Sequence, residues 1–154
     1  MDINSAEAKR RISDFTLQAE IIGNLIADIR TRVEQFDADV RSGRVKGKDA
    51  TRLLVLRIQK YADGKSKLKE AYDKLKVIFN EIMHLDLTGK EVMRFKAQLQ
   101  LDYNAIYNIY YNRLSLIPFA VSYPHILHSI RTTTDSFVAQ SRKREARYQA
   151  LLAS

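Results

Sequence analysis

One rhythm runs through this chain: apolar residues recur in alternating steps of four and three. Ala8, Ile12, Phe15, Ala19, Ile22, Ile26, Ile29, Val33, Phe36 and Val40 keep it without a break. A seven-residue repeat held this long keeps one face of an α-helix turned toward a neighbouring helix, whereas a strand alternates every second residue. Leu17, Ile21 and Leu25 lie off that seam. The middle of the first helix is therefore expected to touch more than one neighbour. Asn4 with Glu7 fits a capping box, and Ser42-Gly43 closes the segment.

The rhythm returns in Leu54, Ile58, Tyr61, Lys65, Leu68, Tyr72, Leu75, Phe79 and Ile82, with Asp49 as a candidate cap. Lys65 is the one polar member, and Gly64 beside it costs about 1 kcal/mol relative to Ala inside a helix, so the middle of this segment is its weak point. A third segment opens at Thr88 with Glu91 in the capping-box position. It turns Val92, Phe95, Leu99, Tyr103, Ile106, Tyr110, Leu114 and Ile117 inward. Pro118 stops it, because its ring cannot continue the hydrogen-bond ladder. The fourth begins at Ser122 with Pro124 in its first turn, and its stripe is Leu127, Ile130, Thr134, Phe137, Ser141, Arg144, Tyr148 and Leu151. This stripe turns polar after Phe137, so its last turns are expected to fray unless a partner orders them.

The spacing thus predicts helices over 4–42, 49–85, 89–117 and 123–152. Short connections make consecutive helices run antiparallel. The expected fold is all-α: a single domain over 1–154, an elongated antiparallel four-helix bundle with coiled-coil-like heptad packing. A chain of 154 residues buries roughly 70% of its unfolded surface and needs no metal or disulfide to fold. The absence of Cys excludes disulfides, cysteine-ligated zinc, iron–sulfur clusters and a thiol nucleophile.

Two stretches are compositionally distinct. The first is basic. Residues 1–42 carry six basic and eight acidic groups, residues 43–84 eleven basic and five acidic, out of a chain total of +8. Arg44, Lys46 and Lys48 crowd the first connection, Lys60, Lys67 and Lys74 recur every seven residues off the seam, and Arg142, Lys143, Arg144 and Arg147 form a second group. Such runs serve either as a solvated face or as a surface for a polyanion: nucleic acid or an anionic membrane. No helix-turn-helix spacing, zinc-finger ligand set or ribonucleoprotein aromatic motif narrows that choice.

The second stretch is nearly uncharged: from Tyr103 to Ile130 the sole formal charge is Arg113. It holds Tyr103, Tyr107, Tyr110 and Tyr111, a row of Asn104, Asn108 and Asn112 at steps of four, and the apolar junction Leu116-Ile-Pro-Phe-Ala-Val121. Read as core, its tyrosine hydroxyls and asparagine amides bond neighbouring helices. Read as a docking surface, Tyr107, Tyr111, Asn104, Asn108, Asn112, Phe119 and Val121 are the contact residues, since tyrosine is enriched and charge depleted where proteins meet. Within it, Tyr103-Asn104, Tyr110, Leu114 and Ile117-Pro118 resemble a segment of the LemA family of bacterial helical-bundle proteins over 16 of the 154 residues. The first two helices do not follow that family's pattern, and no function is carried over from it.

Catalytic patterns are sparse. Glu81-Ile-Met-His84 is a single copy of a unit that di-metal bundles use in pairs. His125 and His128 have no acidic residue near them in sequence, Gly43-Arg-Val-Lys-Gly47-Lys48 lacks the spacing and Ser/Thr of a phosphate loop, and no serine sits in a nucleophile elbow. The longest uncharged stretch, Leu114–Ile130, has 17 residues and two prolines, short of the roughly 20 apolar residues of a membrane span. The expectation is a cytoplasmic, non-enzymatic structural, scaffold or adaptor protein. It needs no cofactor, metal or small-molecule substrate. It contacts itself or another helical protein; an anionic membrane or nucleic acid is the alternative partner.

Overall fold

The computed structural model describes residues 1–63, 65–119 and 122–154, with 118 and 119 described by backbone alone. Among these residues the chain is all-helical: α1 (Ala6–Arg41), α2 (Gly47–Ala62), α3 (Lys67–Met83), α4 (Val92–Tyr111), a 3₁₀ helix (Leu114–Phe119) and α5 (Tyr123–Leu152). No strand forms among them, and Asp2 makes an isolated bridge with Thr88.

The heptad seam of α1 is the spine of the core. Ala8, Ile12, Phe15, Ala19, Ile22, Ile26, Ile29, Val33 and Phe36 are all buried. Removing a Phe or Ile side chain of this kind from water stabilises the fold by about 1.5–3 kcal/mol. At 1.5 Å per residue, the 36 residues of α1 reach about 54 Å. The helix contacts α2, α3 and α5, as its off-seam residues anticipate, but Leu17 and Ile21 do not make those contacts and stay exposed. Gln18 and Gly23 do. Gln18 is buried and donates from Nε2 to the Ala71 carbonyl of α3 (3.0 Å). Gly23 lies so close to α5 that a Cβ there would sit 3.0 Å from the Phe137 ring.

Partners along α1 and α5 rise in number on one helix as they fall on the other. Phe15 meets Tyr148 edge-on at 5.9 Å, Arg30 pairs with Asp135 at 3.2 Å, and Asp37 accepts from the Tyr123 hydroxyl at 2.7 Å. On α3, Glu81 pairs with Arg11 and Ala71 with Gln18.

The structure corrects several local expectations. The cap of α1 is Ser5, whose hydroxyl accepts from Ala8 N–H at 3.2 Å, while the neighbouring Asn4 donates its N–H to the Asp2 carboxylate. The segment expected as one helix over 49–85 is divided. Asp63 turns extended (ψ 175°), its carboxylate accepts from Lys65 N–H and its carbonyl from the Ser66 hydroxyl, and Ser66 caps α3 by accepting from Lys69 N–H at 3.1 Å. Asp and Ser side chains offer the backbone local partners that compete with the helix. α2 itself starts at Gly47, two residues before Asp49, without a side-chain cap.

α4 starts at Val92, because Thr88 is engaged elsewhere: its N–H donates to the Met1 carbonyl at 2.7 Å. It ends at Tyr111, before Pro118, where the Ser115 hydroxyl takes the Tyr111 carbonyl and the chain tightens into the 3₁₀ helix. The last turns of α5 do not fray. The helix runs to Leu152, with Tyr148 buried against Phe15. Ser122 caps α5 with Pro124 in the first turn, as the sequence indicates.

Candidate interaction surfaces

α4 presents two different faces. Inward, Phe95, Leu99, Ile106, Ile109 and Tyr110 are buried. The Tyr110 hydroxyl donates to the Ala62 carbonyl at 2.7 Å, and the Tyr72 hydroxyl of α3 donates to the Ile106 carbonyl at 2.7 Å. Ala62 is the last residue of α2, so the first bond closes the helix end left open at the Asp63 turn. Burial pushes the phenol of Tyr72 well above the ordinary tyrosine range, and that of Tyr110 upward as well.

Along the edge of α4 the aromatic rings form a ladder. Phe79 of α3 stacks on Tyr103 with centroids 4.2 Å apart, Tyr103 lies 6.1 Å from Tyr107, and Tyr107 stacks on Tyr111 at 4.0 Å. Steps of four on a helix bring these side chains over one another. Lys69 sits 5.7 Å from the Tyr111 ring and pairs with Asp73, which together raise the lysine's pKa.

Outward, α4 presents Met93 (85% exposed) and the exposed Arg94 in its first turn, and beyond them a stripe without formal charge: Ala97, Leu101 (63% exposed), Asn104, Asn108 and Asn112. The asparagine row therefore faces solvent and does not bond neighbouring helices. Asn112 donates to Asn108, and Gln100 donates to Asn104 at 2.9 Å, so these amides bond along their own helix. Of the docking residues named from the sequence, Asn104, Asn108 and Asn112 fall together on this outer side, Tyr107 lies at its edge, and Tyr111 is turned toward α3 and packs on the core. Val121 and the side chain of Phe119 lie outside the described residues.

The basic residues do not form one face. Arg44 pairs with Asp39 at 3.8 Å, Lys46 occupies the N-cap position of α2, and Lys48 is exposed. The turn at 63–66 breaks the straight seven-residue line of Lys60, Lys67 and Lys74. Lys60 and Lys67 still meet beside Tyr61 and Leu25 at a shallow cavity of about 270 Å³, while Lys74 stands exposed further along α3. The C-terminal group separates completely. Arg142 and Lys143 are exposed, Arg144 is buried, and Arg147 holds Asp102 through two bonds of 2.7 and 2.8 Å.

Two ionic clusters were not picked out in the sequence. Asp102 of α4 is buried and accepts from Arg147, the Tyr148 hydroxyl (2.7 Å) and Gln98 (3.0 Å), tying α4 to α5. Asp37 of α1 is buried and accepts from Tyr123, Arg41 (3.0 Å) and Arg131 (3.3 Å). Arg131 also grips Glu34 through both carboxylate oxygens, at 2.7 and 3.0 Å, and its hydrogen bonds hold the Glu34 carboxyl below the usual range. The spacing carried no signal for either: the rhythm is filled by Phe36 and Tyr103, and Asp37 and Asp102 each stand one position off it.

Groups tested for chemistry are dispersed. Glu81 pairs with Arg11, and His84 lies 2.7 Å by Nδ1 from the Asn80 carbonyl. His125 lines a cavity of about 460 Å³ with Arg113, Ser129 and Thr132. Among the described residues no three His, Asp or Glu converge as a metal site, and no helix is long and apolar enough to cross a membrane. Comparison with known protein families, curated proteins and solved structures finds no match, so the short LemA-like spacing at 103–118 has no whole-chain counterpart.

Proposed function

We propose that the protein is a non-enzymatic scaffold or adaptor that works through helix–helix contacts, with a second copy of itself as the partner at the outer face of α4. In this reading the helices pack as antiparallel rods with coiled-coil-like seams. The falling-against-rising partners of α1 and α5 and the unbroken seam of α1 support it.

The observation that carries the self-association is the stripe from Ala97 to Asn112, uncharged beyond Arg94 and about 22 Å long at 1.5 Å per residue. A chain of net charge +8 repels its own copies over most of its surface. That penalty falls away beyond Arg94, where Leu101 and adaptable amides beside Tyr107 resemble the composition of protein interfaces. Sedimentation velocity across a range of concentrations, at low and high salt, tests the reading. The expected result is a concentration-dependent oligomer that persists or strengthens in high salt and is lost in Leu101→Glu. A monomer at all concentrations contradicts it.

The second reading, a basic module for an anionic surface, is favoured by Lys46, Lys48, Lys60, Lys67 and Lys74, none of which forms an ion pair among the described residues. It predicts binding to anionic vesicles or duplex DNA that falls steeply with salt.

A further inference from the structure

Three charged residues of the described chain are buried, and they differ. Asp37 and Asp102 each hold an arginine. Arg144, 5% exposed, makes no ion pair among the described residues. Its Nη2 donates to the Ser141 hydroxyl at 3.0 Å, and its guanidinium lies 5.5 Å from the centroid of the Phe137 ring. A guanidinium presents five donors in a rigid fork and is almost never buried without an acidic partner. Burial pushes the pKa of Arg144 down, and the more distant Asp102 does not restore it.

This side chain lines a cavity of about 270 Å³ between α1 and α5. Ala19 and Gly23 form the α1 side, and Phe137 and Val138 the α5 side. Gly23 lets the Phe137 ring pack directly on α1, since a Cβ there meets the ring at 3.0 Å, and this contact closes one end of the cavity. The volume holds roughly nine water-sized groups at about 30 Å³ each.

We propose that this cavity binds a small amphiphilic carboxylate, with its head on Arg144 and its apolar tail along Ala19 and the cavity-lining edges of Phe137 and Val138. A carboxylate supplies two acceptors in the plane that the guanidinium fork requires and gives the buried charge a counter-ion. The mouth of the cavity carries Glu20 and Glu145 against Arg142, all exposed. That rim disfavours a doubly charged phosphate, while a single charge drawn inside to Arg144 escapes most of the repulsion. The size and mixed lining match an eight-carbon acid.

Octanoate, octanol and octylamine are the probes, and thermal unfolding is the readout for the wild-type chain, Arg144→Met and Asn24→Phe. Arg144→Met exchanges a lone buried charge for an apolar side chain and is expected to fold. Asn24→Phe fills the mouth and leaves Arg144 in place. Octanoate at about a hundredfold its Kd is expected to raise the wild-type Tm by about 5–10 °C. The shift is expected to vanish in both variants, with octanol and octylamine inactive throughout. An octanoate shift that persists in Arg144→Met, an equal shift with octanol, or no shift in the wild-type chain overturns the proposal.

Discussion

The α1–α5 contact and the α3–α4 contact solve the same packing problem with different chemistry. Along α1 and α5 the closest polar partners are charged: Glu34 and Asp37 with Arg131, and Arg30 with Asp135. Where α4 meets α3 and the end of α2 they are mainly aromatic: Phe79 of α3 on Tyr103, Tyr72 of α3 donating to the Ile106 carbonyl, Tyr110 donating to the Ala62 carbonyl of α2, and one cation, Lys69, over the Tyr111 ring. Charged partners fix register, because a slipped helix leaves a carboxylate without its cation. Mainly neutral partners fix geometry with little added charge, and α4 is thereby free to carry an outer face that is uncharged beyond Arg94. The difference separates the part of the molecule that holds itself together from the part we propose for contact.

The largest expected effect tests the point where the two regions join. Asp102→Ala removes the acceptor shared by Arg147, Tyr148 and Gln98 and is expected to lower the unfolding free energy by about 3 kcal/mol. Urea denaturation reads it, and a loss below about 1 kcal/mol shows that Asp102 does not bind α4 to α5. Next come Tyr72→Phe and Tyr110→Phe, each leaving one buried carbonyl without its donor. About 1–2 kcal/mol is expected for each, independent of salt. Salt-dependent losses there would erase the distinction between the two contacts.

A smaller effect belongs to the charged contact. Arg131 holds the Glu34 carboxyl below the usual glutamate range, so Glu34 contributes stability above that range and loses it as pH falls through the lowered folded value. The pair is partly exposed, and the contribution is under about 1 kcal/mol. Glu34→Gln is expected to lower Tm at pH 7 and to leave it equal to wild type near pH 2. A deficit that persists at pH 2 points to packing instead of charge. The smallest effect on stability is expected at Tyr107→Ser, within about 0.5 kcal/mol, because Tyr107 is 36% exposed at the edge of the ladder.

The helical class and the seams were legible because burial imposes a period that survives in the residues themselves: every interior position of the α1 rhythm from Ala8 to Phe36 is buried. The breaks were less legible. Asp63 and Ser66 end one helix and start another through side-chain bonds that periodicity does not register, so Gly64 marked the weak point without revealing a turn. The site was legible in part. The steps of four at Asn104, Asn108 and Asn112 placed them on one face, but whether that face looked inward depended on which side of α4 its neighbours occupied. The divergence of Arg144 and Arg147, neighbours in sequence with opposite fates, depended on where Asp102 lay on another helix. That is information from tertiary structure and not from spacing.

The chain lacks cysteine, so single labels are simple to place. Leu101→Cys on α4 and Leu56→Cys on α2 are both exposed positions, at 63% and 52%. Spin labels at these sites, read by dipolar electron resonance at high protein concentration, test the self-contact at α4 directly. The account predicts a narrow, short intermolecular distance for the label at 101, as packed helices with axes about 8–10 Å apart require, and none for the label at 56. A short distance at 56 with none at 101, or no intermolecular coupling at either, contradicts it.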